Sequence, residues 1–341
     1  KVHSMMKTLR VLLAGGLAAL AGCGRGPQGA DGGAPRVITL NYANFPPAST
    51  FPCVQMEHWK QEVERRTGGR IRINTYPGGT LLGAKDIFDG VVAGTADIGN
   101  FAMSYQPGRF PVSEAVDLPH FFPDAARASL VLADLLASFS PDEFKSVKVL
   151  TAFTCPPAVV MSAKPVASLA DLANLPLRSS GTGAEVMKRL GALPVAMPQS
   201  DVPDALQKGV VQGNVSSAEV LKDMNYAAYC PRVFKTDLCV ISFAVVMNRS
   251  AYEALPADVK AVFDNLYREQ AEWTGRYVDG HAEEAIAWAR TNRNLTVTVP
   301  DEADTATLRA TAQPLIDDYV SRMAAKGIDG RAVIDFITTR R

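Results

Sequence analysis

The chain has 341 residues, 47% of them hydrophobic, with 35 Lys and Arg balanced by 35 Asp and Glu and four His. That length supports one large or two medium domains with real cores. Zero net charge and the lack of a basic cluster exclude a nucleic-acid footprint and give no pull toward a strongly anionic membrane surface.

Lys7 and Arg10 precede an apolar run over residues 11–21. The run is too short to cross a bilayer and suits a secretory signal. It ends in Leu20-Ala21-Gly22-Cys23, a lipobox pattern: small residues for the peptidase, then a cysteine whose sulfur takes the lipid. Residues 1–23 are therefore expected to be a lipoprotein signal ending at the lipidated Cys23. An ordinary signal with an incidental cysteine is the alternative. On either reading the mature chain works in the periplasm, and on the first it is lipid-anchored. Residues 24–36 are Gly-rich and polar, a flexible tether.

Export permits disulfides, and Cys53, Cys155, Cys230 and Cys239 allow three full pairings. Cys230 and Cys239 are nine apart and form the favoured pair. Four buried free thiols are the alternative. No Cys-x-x-Cys occurs, and His58, His120 and His281 have no metal-ligand spacing, so neither a metal nor a cofactor is expected.

Residues 37–42 alternate as a strand, and residues 51–66 place Val54, Trp59 and Val63 on one helical face before Gly68-Gly69. A strand over 70–75, a helix over 82–93 and a strand over 96–99 complete β-α-β-α-β. Residues 101–123 form a long loop rich in aromatics and proline. A helix over 125–139 and strands over 147–153 and 159–163 follow. Ser168 and Asp171 resemble a capping box.

Residues 175–217 repeat the first pattern. A strand ends at Arg178, a loop covers 179–183, and a helix runs to Leu190 before Gly191. A strand over 194–197 leads to a helix with Ser200 as N-cap, Pro203 in its first turn and Gly209 as its stop. A last strand, Val210-Val211, runs into Gly213 and Asn214. Two such units imply two α/β lobes with a cleft between them, and in parallel sheets ligands bind at the carboxyl ends of strands. Residues 240–247 form an apolar strand returning to the first lobe. A helix of about 35 residues within 256–300 would be a rod of roughly 50 Å, long enough to cross both lobes, with Gly275 and Gly280 able to bend it. A strand over 295–299 and helices over 303–326 and 333–341 close the chain.

No catalytic constellation is present: no Gly-x-Ser-x-Gly elbow and no His-Glu-x-x-His. Gly181-Thr182-Gly183 is a weak nucleotide-loop signal. Arg178 stands out. A guanidinium at a strand end, beside Ser179, Ser180 and a Gly-flanked helix start, suits a bidentate carboxylate site. The alternative is a structural pairing with Asp171 or Glu185.

Several stretches, in order, resemble one family. They are EVERRTGGRIRINTYPGGTLLG, VVAGTADIG, SYQPGRFPVSEAVDLP, SLADLANLPLRSS, ALQKGVVQG and VVMNRSAYEALP, followed by the long helix. Over residues 37–336 the chain resembles the solute-binding subunits of TRAP (tripartite ATP-independent periplasmic) transporters. The resemblance implies an α/β, two-lobed, type II-like periplasmic binding fold with the long helix spanning both lobes. Lobe I is expected over 37–158 and 248–285, lobe II over 159–247 and 286–341. It implies a non-enzymatic protein that closes on a small-molecule carboxylate and delivers it to the small and large TRAP membrane subunits. It puts Arg178 on the ligand carboxylate, with Gln199, Asn214, Ser216, Asn44 and Phe101 at lining positions. Some relatives carry a second arginine where this chain has Ala158-Val159. That departure points to a monocarboxylate with an apolar or aromatic tail. The competing readings are a receptor for a sensor and a periplasmic enzyme on the same scaffold.

Overall fold

Two β-sheets organise the residues that the computed structural model describes, Val37–Arg341. The expected signal, Cys23 and the tether lie outside them. The first sheet begins with β1 (Ile38–Asn44), α1 (Phe51–Arg66), β2 (Ile71–Tyr76), α2 (Ile87–Val92) and β3 (Ile98–Ala102). β2 and β3 both lie parallel to β1, on opposite sides of it. Ile71 and Ile73 point into the core while Arg72 and Asn74 face solvent, the period-2 pattern of a half-covered strand. The helix expected over 82–93 shortens to α2, and Leu82 ahead of it packs on Gly90, where an added Cβ would meet it at 2.5 Å.

Next come α3 (Ala125–Phe139), β4 (Val147–Thr154) and β5 (Val159–Ser162). The second β-α-β-α-β unit is β6 (Pro176–Arg178), α4 (Gly181–Arg189), β7 (Leu193–Val195), α5 (Val202–Gln207) and β8 (Gly213–Ser216). β7 and β8 flank β6 in parallel, as β2 and β3 flank β1. α4 begins at Gly181, sooner than the sequence implied, and β8 begins after the expected Val210-Val211. Gly209, at φ +71°, ends α5 and leaves Val210 exposed in the connection. The remaining elements are α6 (Val220–Asp223), β9 (Arg232–Phe234), β10 (Ser242–Asn248), α7 (Arg249–Glu253), α8 (Ala257–Arg293), β11 (Thr296–Thr298), α9 (Glu302–Ala325) and α10 (Gly330–Thr338). The sheets read β2-β1-β3-β10-β4 and β11-β9-β5-β8-β6-β7.

β10 pairs antiparallel with β3 and β4, so it belongs to the first sheet, and the segment 159–247 expected for lobe II ends one strand too late. The C-terminal segment is not wholly in lobe II either: α9 touches α4, but α10 packs on α3 and the 3-10 turn Ser113–Asp117. The 37 residues of α8 span about 55 Å. The helix packs on α1, α3 and β4 of the first lobe and on α6 of the second.

Gly275 serves close packing: a Cβ there would lie 2.5 Å from Ala126 Cα and 2.7 Å from the Ala125 carbonyl oxygen. One turn on, the Asp279 carboxylate accepts the Ala125 and Ala126 N–H groups at 2.8 and 2.9 Å, satisfying the open N-terminus of α3. The favoured Cys230–Cys239 disulfide is absent. All four cysteines of the described residues are buried free thiols, and Cys230 and Cys239 sit in separate apolar clusters.

Candidate functional site

Two short crossings join the sheets, residues 155–158 and 235–241. They run side by side: Cys155 N–H donates to the Ile241 carbonyl at 3.1 Å and Ala158 N–H to that of Cys239 at 2.8 Å. With α8, which packs on elements of both sheets' lobes, they join the two sheets, and the cleft lies between these. The carboxyl ends of the parallel strands meet there in equivalent registers. Asn44 of β1 lies opposite Asn100 of β3, and Arg178 of β6 opposite Asn214 of β8.

Arg178 is fully buried. Its Nε donates to the Met197 carbonyl at 2.8 Å. Nη1 reaches Asn214 Oδ1, and Nη2 reaches Tyr105 Oη, each at the long distance of 3.5 Å. Neither acid proposed as a structural partner is used. Asp171 accepts from the Ala167 and Ser168 N–H groups in a capping box, and Glu185 is exposed. The guanidinium thus holds one good hydrogen bond and two marginal ones. A buried cation in that state is costly unless an anion joins it.

The first lobe closes over this arginine through the 3-10 turn Met103–Tyr105. Tyr105 Oη accepts the Gln199 N–H at 3.1 Å, and the Ser104 and Ser180 hydroxyls lie 3.3 Å apart. Gly181 makes this approach possible. It has φ +52°, and a Cβ on it would stand 2.8 Å from Ser104 Cβ. Gln199 is fixed further: its Nε2 donates to Ser216 Oγ at 2.7 Å, and Tyr226 Oη donates to its carbonyl at 2.7 Å.

Beside this cluster lies a cavity of about 40 Å³, little more than one water's share of liquid volume. Gln199 and Ser216 line it, with Tyr105, Phe45, Phe51 and Phe243 as aromatic walls. Asn214 lies next to Arg178, with its Nδ2 buried and unpartnered among the described residues. The two expected first-lobe residues fall elsewhere. Asn44 is consumed by structure, donating to the Pro52 carbonyl and accepting from Phe45 N–H and Asn100 Nδ2. Phe101 points to the opposite face of β3, edge-on to Phe88 in the core. The aromatic lining comes from the β1–α1 connection, the start of α1, the Met103–Tyr105 turn and β10. Nothing in the periodicity of the sequence singled out Phe45 or Phe243, although Tyr105 stands in the aromatic loop. Glu219 also lines the cavity; burial raises it to about 7, and the Ser217 hydrogen bond acts to lower it.

Residues 42–322 match the family described as DctP, bacterial extracellular solute-binding protein, family 7. The chain belongs to that family. A TRAP periplasmic solute-binding protein from Desulfovibrio salexigens is 48% identical and superposes with a TM-score of 0.80 over 89% of this chain and 95% of that one. A TRAP solute-binding protein from Rhodoferax ferrireducens, in complex with copurified benzoate, is 26% identical with a TM-score of 0.85 over 89% and 97%. A solute-binding protein of Verminephrobacter eiseniae is 25% identical over 270 residues, 77% of this chain and 79% of its own.

This chain is therefore a TRAP solute-binding protein of a periplasmic transport family, with the two-lobed fold of its relatives. The Desulfovibrio relative was solved as an open complex and superposes less well than the less identical benzoate complex. In this chain Tyr105 and Ser104 make contacts across the cleft. Among the described residues no helix is long and apolar enough to cross a membrane.

Proposed function

We propose that this TRAP solute-binding protein captures a monocarboxylate with an apolar or aromatic tail and delivers it to the membrane permease. The observation that carries the reading is the fully buried Arg178, which pairs with neither Asp171 nor Glu185 and meets, through Tyr105, a cavity with phenyl walls. Arg178 binds the ligand carboxylate. Asn214 Nδ2 and the Tyr105 hydroxyl are donors placed to join it. Gln199 and Ser216 hold one side of the tail, and Phe45, Phe51 and Phe243 the other. Opening about the paired crossings admits the ligand, and closure lowers the local dielectric around the ion pair. The benzoate found in the Rhodoferax relative supports an aromatic acid.

The test is calorimetric titration of wild type and Arg178→Ala with benzoate and mandelate. Wild type binds at least one of them, and the variant loses that binding. Equal affinities remove Arg178 from the site. The protein acts as a carrier without turnover, so a bound acid is recovered chemically unchanged. We also propose that Cys23 anchors the chain by lipid, supported by the lipobox Leu20-Ala21-Gly22-Cys23. Labelled palmitate enters the wild-type protein and not Cys23→Ser; equal labelling refutes the anchor.

A further inference from the structure

One group in the cavity is left over once the carboxylate is placed on Arg178. Glu219 immediately precedes α6, is 3% exposed and lines the same cavity as Tyr105, Gln199 and Ser216. Its Oε1 accepts from Ser217 Oγ at 2.6 Å. Its Oε2 is buried and has no hydrogen-bond partner among the described residues. The charged neighbours that act on it are Asp223 and His281, and these pair with each other at 2.8 Å. Phe45, Phe51, Ile241 and Phe243 make the cavity walls apolar. An orphaned carboxyl oxygen in such a site is expensive, and a donor brought by the ligand removes that cost.

We propose that Glu219 is a specificity residue that accepts a hydrogen bond from a hydroxyl on the tail of the ligand, so that the protein selects a hydroxy-substituted aromatic monocarboxylate over the parent acid. This rests on the reading that Arg178 anchors the carboxylate. A second ligand carboxylate would meet an acceptor where it needs a donor, so dicarboxylates are disfavoured by the same group. A ligand ammonium is disfavoured as well. The ammonium would have to shed its water among phenyl rings. A hydroxyl needs only one acceptor.

The experiment titrates the protein, as wild type, Glu219→Leu and Glu219→Gln, with benzoate, 3-hydroxybenzoate, 4-hydroxybenzoate and 3-(aminomethyl)benzoate. In wild type at least one hydroxybenzoate binds about tenfold or more tighter than benzoate, the size expected for a hydrogen bond to a charged group. In Glu219→Leu the hydroxyl preference collapses to within about threefold while benzoate still binds. Glu219→Gln, which keeps the shape and one acceptor, falls between. If the Leu variant does not fold, the Gln variant decides alone, and an undiminished preference there overturns the proposal. Benzoate binding with no hydroxyl preference in wild type overturns it and leaves the Arg178 reading intact. Tighter binding of the aminomethyl acid overturns it in favour of an ammonium ligand. If no acid on the panel binds wild type, the aromatic-acid reading fails and this proposal fails with it.

Discussion

Replacing Arg178 with methionine separates what this residue does for the fold from what it does for the ligand. The guanidinium is fully buried and makes one hydrogen bond of ordinary length, Nε to the Met197 carbonyl at 2.8 Å. The two others are 3.5 Å long and contribute little. Removing the arginine therefore costs about 1 kcal/mol of hydrogen bonding. It also relieves the desolvation of an unpaired charge, where apolar replacement of buried ion pairs is neutral or stabilising by about 1–4 kcal/mol. Methionine is unbranched and fills an irregular gap of this kind. The ligand-free variant should thus lie between about 1 kcal/mol less stable and about 3 kcal/mol more stable than wild type. The ligand carboxylate, by contrast, loses its only charged partner, a loss of about 3–5 kcal/mol or a few hundred- to a few thousand-fold in Kd. Urea unfolding without ligand and calorimetric titration with benzoate measure the two quantities. A variant destabilised by more than about 2 kcal/mol that still binds normally would show that the arginine is structural, and the reasoning would be wrong.

Tyr105, Gly275 and His281 each carry a further expected outcome. Tyr105→Phe removes the hydroxyl that accepts from Gln199 N–H and meets Arg178 Nη2 across the cleft, so affinity falls about 2- to 12-fold and small-angle scattering shows a larger ligand-free radius of gyration; an unchanged affinity and radius refute the latch. Gly275→Ala drives a Cβ into the backbone of Ala125 and Ala126 and should cost about 1–3 kcal/mol in urea unfolding, while Gly280→Ala, with nothing within 4 Å, should not destabilise. His281 is raised above its ordinary value by its hydrogen bond to Asp223. Its folded value exceeds the unfolded one, so its stabilisation is complete below about pH 6.5 and is lost as pH rises through the raised value. The melting temperature of wild type minus that of His281→Gln should shrink between pH 6 and pH 9, and a difference independent of pH rules the pair out as its source.

The sequence by itself determined the repeated β-α-β-α-β units, because apolar period, Gly stops and caps are local properties. α1 and α3 occupy the expected residues, the Ser168–Asp171 capping box forms, and the long helix reaches across both sheets. It also put Arg178 at a strand end, because the serines and glycines of 179–183 read as a loop after a short apolar stretch, and β6 does end there. Only the tertiary structure decided what stands around that arginine. Asn44 and Phe101 were expected in the lining, yet one is spent on local hydrogen bonds and the other faces the core, because strand parity relative to a distant helix is not written in the strand itself. Phe45, Phe243, Tyr105 and Glu219 reach one cavity from four separate segments, brought together by the crossings that join the sheets. β10 shows the same limit. Its apolar run marks a buried strand, but its place between β3 and β4 follows from antiparallel pairing with partners about 95 and 145 residues earlier in the chain, a contact no local pattern encodes.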